Sequence, residues 1–278
     1  MGIVCCSNSL YNTIRDKIEL LRDVLIQLGL KPVFSQYIYE NEIDFKDYGK
    51  YRAKVLMDFY QDEEIKAIFD ISGGDIANEI LPYLDFEIIK KSNKLFWGYS
   101  DLTSIINAIY AKTENKSVLY QIRNLVSKEN VIQVNNFSKT LFQSKRDLYA
   151  FEYEFIQGNH MHGIVVGGNI RCLLKLAGTM YWPDMDKKIL LLEARSGNVN
   201  KMITYLSQLK QMGVFDKING IILGTFMEME KSECLPTITE LVKNYVNDDL
   251  AIIKTNEIGH GCDSKAIVIG EMVEFVKC

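Results

Sequence analysis

Short apolar segments alternate with amphipathic helical patterns along most of this 278-residue chain. Residues 2–6 (GIVCC) form a strand candidate, and apolar side chains then recur every three or four residues over 14–28, which predicts a helix. Further strand candidates follow at 65–71 and 95–97, again separated by helical patterns. Because strands separated by helices need crossover connections, the sequence predicts an α/β fold with a mostly parallel sheet.

The alternation loosens in the middle of the chain and returns at the segment GIVVGG. Asn, Lys and Ser are frequent between these parts, and residues 130–155 predict short strands and loops. We therefore expect two α/β domains. A cleft between domains is a usual place for a functional site. The predicted parts are a Rossmann- or flavodoxin-like domain over 1–130, a linker over 131–162, and a smaller α/β domain of the swivelling β/α/β type over 163–278.

Composition and charge argue against several classes of protein. The net charge is −4 and no long Lys/Arg run occurs, so we expect no nucleic-acid partner. No apolar run is long enough to span a bilayer and the N-terminus lacks a signal-peptide pattern, so we expect a cytoplasmic protein without a membrane partner. The scattered cysteines lack a CxxC pair and predict free thiols. They are Cys5, Cys6, Cys172, Cys234, Cys262 and Cys278.

Ser100 lies at an abrupt junction between the strand candidate at 95–97 and a helical pattern that begins at Leu102. A sharp strand-to-helix turn raises a serine hydroxyl above the sheet and directs backbone N–H groups toward a developing oxyanion. Gly98 permits a tight turn, whereas Leu102 stands where the usual nucleophile elbow has a second glycine. An N-cap serine that closes a βα loop is the alternative interpretation of this spacing.

The chain has only three histidines, and histidine is the most frequent general base near neutral pH. His260 lies between two glycines on a predicted loop, where it is either a base that enters a cleft or a solvated side chain. His160 and His162 are two residues apart, which places both rings on one side of a strand. A catalytic zinc site needs a third ligand, so we expect no metal.

Glu193 follows the apolar run at 189–192, at the predicted carboxyl end of a parallel strand. Functional groups of α/β proteins are often found at this edge, although a solvated strand-end carboxylate also fits. A histidine base needs an acceptor that orients it. Glu193 is therefore a candidate partner for His260, and the chain order would be Ser, Glu, His.

Two glycine pairs complete the set of candidate motifs. Gly73 and Gly74 follow a strand candidate, and their backbone N–H groups are positioned either for an oxyanion hole shared with Asp101 or for a plain tight turn. Residues 167–169 (GGN) lack the GxGxxG pattern and a suitably spaced acidic residue. We therefore expect no nucleotide cofactor.

Taken in order, several segments resemble one family, the serine peptidases that include LD-carboxypeptidases and microcin C immunity peptidases. Each motif is short, but together they cover most of the chain. The segments are ISGG at 71–74, LPYLD at 81–85, GYSDLT at 98–103, GGN at 167–169, AGT at 177–179, ILLLE at 189–193, GIILG at 220–224 and GH at 259–260.

The resemblance implies a triad of Ser100, Glu193 and His260, and an oxyanion hole formed by the backbone of Asp101 and Gly74. It also implies a two-domain α/β fold, a cytoplasmic location, no metal or other cofactor, and commonly a homodimer. The family's usual substrates are a muramyl tetrapeptide from recycled peptidoglycan, cut before its terminal D-Ala, or a toxic aminoacyl-nucleotide.

The sequence departs from the family pattern in segments that are expected to line the cleft. Residues 75–78 (DIAN) replace a small or polar pair followed by serine. The Gly-Pro that often follows the elbow helix is missing from 118–123 (VLYQIR), and Ala194 stands where an acidic residue often follows the triad glutamate. These departures bear on which substrate is bound.

We therefore predict a serine carboxypeptidase that acts on a small peptide or muropeptide, with Gly73 and Trp182 as substrate-binding candidates. An immunity peptidase that hydrolyses an aminoacyl-nucleotide is the alternative enzyme, for which Trp182 would be an adenine platform unless it has only a packing role. A non-catalytic two-lobed protein that binds a peptide or sugar, and an ordinary α/β-hydrolase with the same triad order, are further alternatives.

Overall fold

The computed structural model describes residues 1–36, 38–40 and 47–277. Its twelve described strands form two six-stranded sheets, with helices packed around them. The strands are β1 Gly2–Val4, β2 Val33–Phe34, β3 Ala67–Asp70, β4 Leu95–Gly98, β5 Ser117–Leu119, β6 Glu154–Gln157, β7 His160–Asn169, β8 Lys188–Ala194, β9 Gly220–Phe226, β10 Ala251–Lys254, β11 Ile267–Ile269 and β12 Met272–Val276. The α-helices are α1 Arg15–Gln27, α2 Tyr48–Gln61, α3 Phe86–Lys91, α4 Thr103–Thr113, α5 Asn130–Phe142, α6 Ile170–Leu174, α7 Val199–Gln211, α8 Met227–Lys231 and α9 Ile238–Lys243.

The first sheet has the strand order β11-β5-β4-β3-β1-β2. Its five N-terminal strands are parallel, as the alternation of strands and helices predicts. The sixth strand, β11, comes from near the end of the chain and pairs antiparallel with β5. The C-terminal part of the chain therefore completes the N-terminal sheet, while the domain boundaries near residues 130 and 163 stay a prediction.

The second sheet has the order β12-β7-β8-β9-β10-β6. Its four central strands are parallel, and an antiparallel strand closes each edge. The inner strands β8 and β9 are almost continuously apolar and buried, as expected when helices cover both faces of a parallel sheet. The structure thus confirms an α/β fold that is built on two sheets.

Helix α4 lies between the two sheets and is buried on nearly every side. Residues 103–109 are all buried, which is typical of a helix that is enclosed by other elements rather than facing solvent. Ile105 and Ile106 pack in the same apolar cluster as Val165 of β7 and Ile189 of β8. The segment that follows Ser100 is therefore held by both halves of the chain.

One secondary-structure prediction is wrong. Residues 130–155 are expected to be short strands and loops, but α5 occupies the first half of this segment. Its buried face is made by Gln133, Asn136 and Phe137, a spacing of three and four residues that is partly polar. Tyr120 donates a hydrogen bond of 2.8 Å to the side chain of Gln133, so a buried polar contact replaces the apolar periodicity on which the prediction relied.

Candidate active site

Ser100 lies on a sharp turn between β4 and a short 3-10 helix, Ser100–Leu102, that leads into α4. Its φ angle is +55°, in the left-handed region that non-glycine residues rarely adopt. Gly98 is required beside it, because a Cβ there would lie 2.7 Å from Cβ of Leu102. Strain of this kind is concentrated at functional sites, and here it directs the serine hydroxyl away from the sheet.

The structure brings together the three side chains of the predicted triad, which are far apart in the sequence. The Nε2 atom of His260 lies 2.9 Å from Oγ of Ser100, and its Nδ1 atom lies 2.5 Å from Oε2 of Glu193. The His260 side chain is 5% exposed and that of Glu193 is fully buried. The imidazole thus bridges a hydroxyl and a carboxylate that are 93 residues apart in the chain (193 − 100 = 93).

Glu193 is held by β8, in register with Asn169 of the neighbouring strand β7. Its second oxygen, Oε1, is buried and has no hydrogen-bond partner within the described part of the chain. The contact with Nδ1 of His260 is therefore the one side-chain hydrogen bond that the Glu193 carboxylate makes with the described residues.

The loop that carries His260 is fixed through the residue before it. Gly259 has a φ angle of +146°, and a Cβ there would lie 1.9 Å from Oγ1 of Thr225. Its carbonyl oxygen accepts hydrogen bonds from the hydroxyls of Tyr99, at 3.1 Å, and Ser264, at 2.7 Å. The Tyr99 ring also lies 4.4 Å from the His260 ring, and burial raises the pKa of Tyr99 well above its usual range, so its hydroxyl remains a donor.

Gly74 brings its backbone to the same cavity as Ser100. Its φ angle is +132°, and a Cβ there would clash with the Asn8 side chain, so the close approach needs glycine. The Gly74 carbonyl accepts a hydrogen bond of 2.9 Å from Arg171, whereas its N–H has no acceptor among the residues described. Gly73, the predicted substrate-binding neighbour, also lines the cavity.

The side chain of Asp101 has a buried role that the sequence does not indicate. It is fully buried, forms an ion pair with Lys175, and accepts hydrogen bonds from the Ser7 hydroxyl at 2.6 Å and the Ala77 N–H at 2.8 Å. These contacts join four separate segments around the elbow. The backbone N–H of Asp101 thus lies at the start of a strongly anchored helix, while no spacing in the sequence connects it with Lys175.

A cavity of about 610 Å³ opens beside Ser100 and His260. The side chains of this cavity that the sequence analysis did not predict include two arginines, Arg123 from a 3-10 helix after β5 and Arg195 directly after β8. Arg123 lies in the segment that departs from the family pattern, which is the one signal that draws attention to it. Trp182 does not line this cavity; it is partly buried and packs against two apolar clusters, and its assignment to substrate binding stays a prediction.

The remaining histidines lie away from the cavity. His160 and His162 are exposed on β7, with ring centroids 5.6 Å apart, and His160 contacts Glu274 at 2.9 Å. Within residues 1–36, 38–40 and 47–277, no group of three His, Cys, Asp or Glu side chains is arranged to hold a metal ion. The described cysteines are free, and Cys278 lies outside the described residues.

No helix in the described part of the chain combines the length and apolar character that crossing a bilayer requires.

Models of two protein domains match the sequence in order. Residues 1–120 match the LD-carboxypeptidase N-terminal domain, and residues 162–275 match the LD-carboxypeptidase C-terminal domain.

Relatives and solved structures agree with this match. The probable murein peptide carboxypeptidase of Bacillus subtilis is 29% identical, over 79% of this chain and 71% of its own. The microcin C7 self-immunity protein MccF of Escherichia coli is 27% identical, over 78% of this chain and 73% of its own. The crystal structure of an MccF-like protein from Bacillus anthracis superposes with a TM-score of 0.85 and 25% identity, covering 100% of this chain and 93% of the other. The chain belongs to the LD-carboxypeptidase family and is a peptidase.

Proposed function

We propose that this protein is a serine carboxypeptidase that cleaves an L,D-peptide bond and releases terminal D-Ala from peptidoglycan-derived tetrapeptides. The single observation that carries the proposal is the hydrogen-bonded chain from Ser100 through His260 to Glu193 beside an open cavity. Ser100 and His260 are within the distance that proton transfer requires, and Glu193 is within hydrogen-bond distance of the imidazole that it would orient.

The first half of the reaction forms an acyl-enzyme. The Ser100 hydroxyl attacks the carbonyl carbon of the scissile bond while Nε2 of His260 takes its proton. Glu193 stabilises the imidazolium that results. The backbone N–H groups of Asp101 and Gly74 donate hydrogen bonds to the oxyanion, which then collapses as His260 returns the proton to the leaving D-Ala nitrogen.

The second half restores the enzyme by hydrolysis. A water molecule gives a proton to His260 and attacks the acyl carbon, and the oxyanion again lies against the two backbone donors. Collapse breaks the ester bond and returns the proton to Oγ of Ser100. These reaction steps need no metal ion, because His260 accepts and returns each proton and the backbone N–H groups of Asp101 and Gly74 stabilise the oxyanion.

A second candidate is hydrolysis of a toxic aminoacyl-nucleotide, and the similarity to MccF favours it. The same nucleophile would attack an acyl carbon that is attached to a nucleotide. Trp182, the predicted adenine platform, does not line the cavity beside Ser100, which weighs against the nucleotide as the substrate.

The experiment offers purified protein both substrate types and identifies the products by mass spectrometry. One substrate is a tetrapeptide with an L-centre diamino acid followed by D-Ala, and its diastereomer with terminal L-Ala is the stereochemical control. The other is aspartyl sulfamoyl adenosine. We expect D-Ala release that is lost in Ser100→Ala; turnover of the nucleotide alone would contradict the peptide assignment, and turnover that survives Ser100→Ala would contradict the mechanism.

A further inference from the structure

Two arginine side chains line the cavity beside Ser100 without an ion-pair partner among the described residues. Arg195 is exposed at the carboxyl end of β8, two residues after Glu193. Arg123 is half-buried in the 3-10 helix Ile122–Val126. Neither guanidinium group forms an ion pair or a hydrogen bond with the described residues, and Nε of Arg123 is fully buried without an acceptor.

Two other arginines near the cavity have hydrogen-bond or ion-pair partners for their terminal nitrogens, although Nε of Arg52, like that of Arg123, is buried without an acceptor among the described residues. Arg52 donates hydrogen bonds to the Cys5 carbonyl and the Ser9 hydroxyl, each at 2.8 Å. Arg171 pairs with Asp75 and donates to Gly74. A guanidinium left without acceptors in a partly buried place is costly, because it loses hydration and receives no hydrogen bonds in return.

The charges around the pair do not neutralise it. Asp75 also lines the cavity, but its carboxylate is taken by Arg171. Asp70 lies near Arg123, yet its oxygens accept from Cys6 and Ser72, and burial raises its pKa toward the neutral form. Burial lowers the pKa of Arg123; the attraction of Asp70 opposes this effect, and repulsion from Arg195 adds to it. The cavity wall therefore has two positive charges that repel each other.

An anion that binds in the cavity would lower the repulsion between the two arginines and accept their hydrogen bonds. A guanidinium presents parallel N–H donors that match the two oxygens of a carboxylate, and such charge-assisted bonds are stronger than neutral ones. Building on the proposed carboxypeptidase function, we propose that Arg123 and Arg195 bind the C-terminal carboxylate of the peptide and so restrict cleavage to its last residue. An internal peptide bond offers an uncharged amide at this position, which leaves both arginines unpaired.

The test compares two substrates that differ only at the terminal group. kcat/KM is measured for a tetrapeptide that ends in free D-Ala and for the same peptide that ends in D-Ala amide. We expect wild-type protein to prefer the carboxylate at least about 10²-fold, because two charge-assisted contacts are lost with the amide. Arg195→Gln and Arg123→Gln should each reduce this preference about tenfold or more, mainly through a lower kcat/KM for the peptide that ends in the free carboxylate.

A matched control removes an arginine elsewhere. Arg146 pairs with Glu271 and does not line the cavity, so Arg146→Gln should leave the preference unchanged. Since Arg195 is exposed, its replacement is not expected to disturb folding, and it keeps the test decisive if Arg123→Gln is unstable. Equal cleavage of the two peptides by wild-type protein, or an undiminished preference in Arg195→Gln, would overturn the inference while leaving the carboxypeptidase function intact.

A binding measurement separates failure of the subsite from failure of the proposed function. In the Ser100→Ala protein, N-acetyl-D-alanine should bind at least about tenfold more tightly than its amide, and Arg195→Gln should abolish the difference. This holds even if no peptide is hydrolysed, an outcome that would contradict only the function. Tighter binding of inorganic phosphate than of N-acetyl-D-alanine would instead assign the pair to a phosphate group and overturn the carboxylate assignment.

Discussion

Asn107 and Gly167 exchange two hydrogen bonds across the interface between the two halves of the chain. The Gly167 N–H donates to Oδ1 of Asn107 at 2.8 Å, and Nδ2 of Asn107 donates to the Gly167 carbonyl at 2.9 Å. A third bond, from the Asn169 N–H to Oγ1 of Thr103 at 3.1 Å, lies at the start of α4. These hydrogen bonds fix the position of the helix that follows Ser100 relative to the sheet that carries Glu193.

The substitution Asn107→Leu tests whether the two hydrogen bonds to Gly167 stabilise the interface. The substitution keeps the approximate volume but leaves the Gly167 N–H and carbonyl buried without partners. We expect a loss of about 2–6 kcal/mol in the free energy of unfolding, from two unsatisfied groups at about 1–3 kcal/mol each. Denaturant unfolding measures the loss. A change below about 0.5 kcal/mol would show that the two hydrogen bonds do not hold the interface.

Glu193→Gln separates catalysis from stability. The neutral amide no longer stabilises the imidazolium, so we expect kcat to fall by about 10⁴-fold, as in comparable triads. Because Oε1 is buried without a donor, removing the carboxylate charge should leave thermal stability unchanged or raised. Steady-state kinetics and thermal melting are measured on the same preparation; loss of activity that is accompanied by unfolding would contradict the assigned role.

Gly259→Ala tests the loop that positions His260. The added Cβ meets Oγ1 of Thr225 at 1.9 Å in a backbone conformation that alanine avoids. Strain and overpacking together predict a loss of about 2–4 kcal/mol and a fall in kcat, since the imidazole is displaced. Gly29→Ala is the control: it has a positive φ angle but open space around its Cβ, and should cost about 1 kcal/mol without affecting kcat.

The substitution Lys175→Met tests the ion pair between Lys175 and Asp101 at the start of the helix that follows Ser100. It leaves the Asp101 carboxylate buried with two neutral donors, and the expected loss of stability is about 3–5 kcal/mol. The double variant Asp101→Asn with Lys175→Met should lose less than the sum of the single variants, because no charge then remains unpaired. Strict additivity in urea unfolding would contradict the coupling.

The parts of the fold that follow from local pattern are predictable from the sequence. Apolar runs indicate β4 and β8, and the spacing of apolar residues indicates α1. Helix α5 does not follow, because its buried face depends on a polar contact between Tyr120 and Gln133 that only the folded chain creates. The pairing of β11 with the first sheet is likewise set by tertiary contacts.

In the candidate site, too, the sequence indicates some residues and not others. Ser100, Glu193 and His260 are recognisable because the residue type, the strand ends and the glycines beside them restrict the choice. Arg123 and Arg195 carry no such signal, since a charged residue in a loop is usually solvated. Trp182 shows a different limit, because an aromatic residue in a loop suggests a ligand, whereas here it is partly buried and packs against the core outside the cavity.

The most direct test of the account is covalent labelling with a fluorophosphonate probe, followed by peptide mapping. The probe needs an activated serine within reach of a base, so a single adduct on Ser100 is expected in the wild-type protein. His260→Ala should slow the labelling strongly, and Ser100→Ala should abolish it. An adduct on another residue, or labelling of Ser100→Ala at the wild-type rate, would contradict the central claim that Ser100 is the nucleophile.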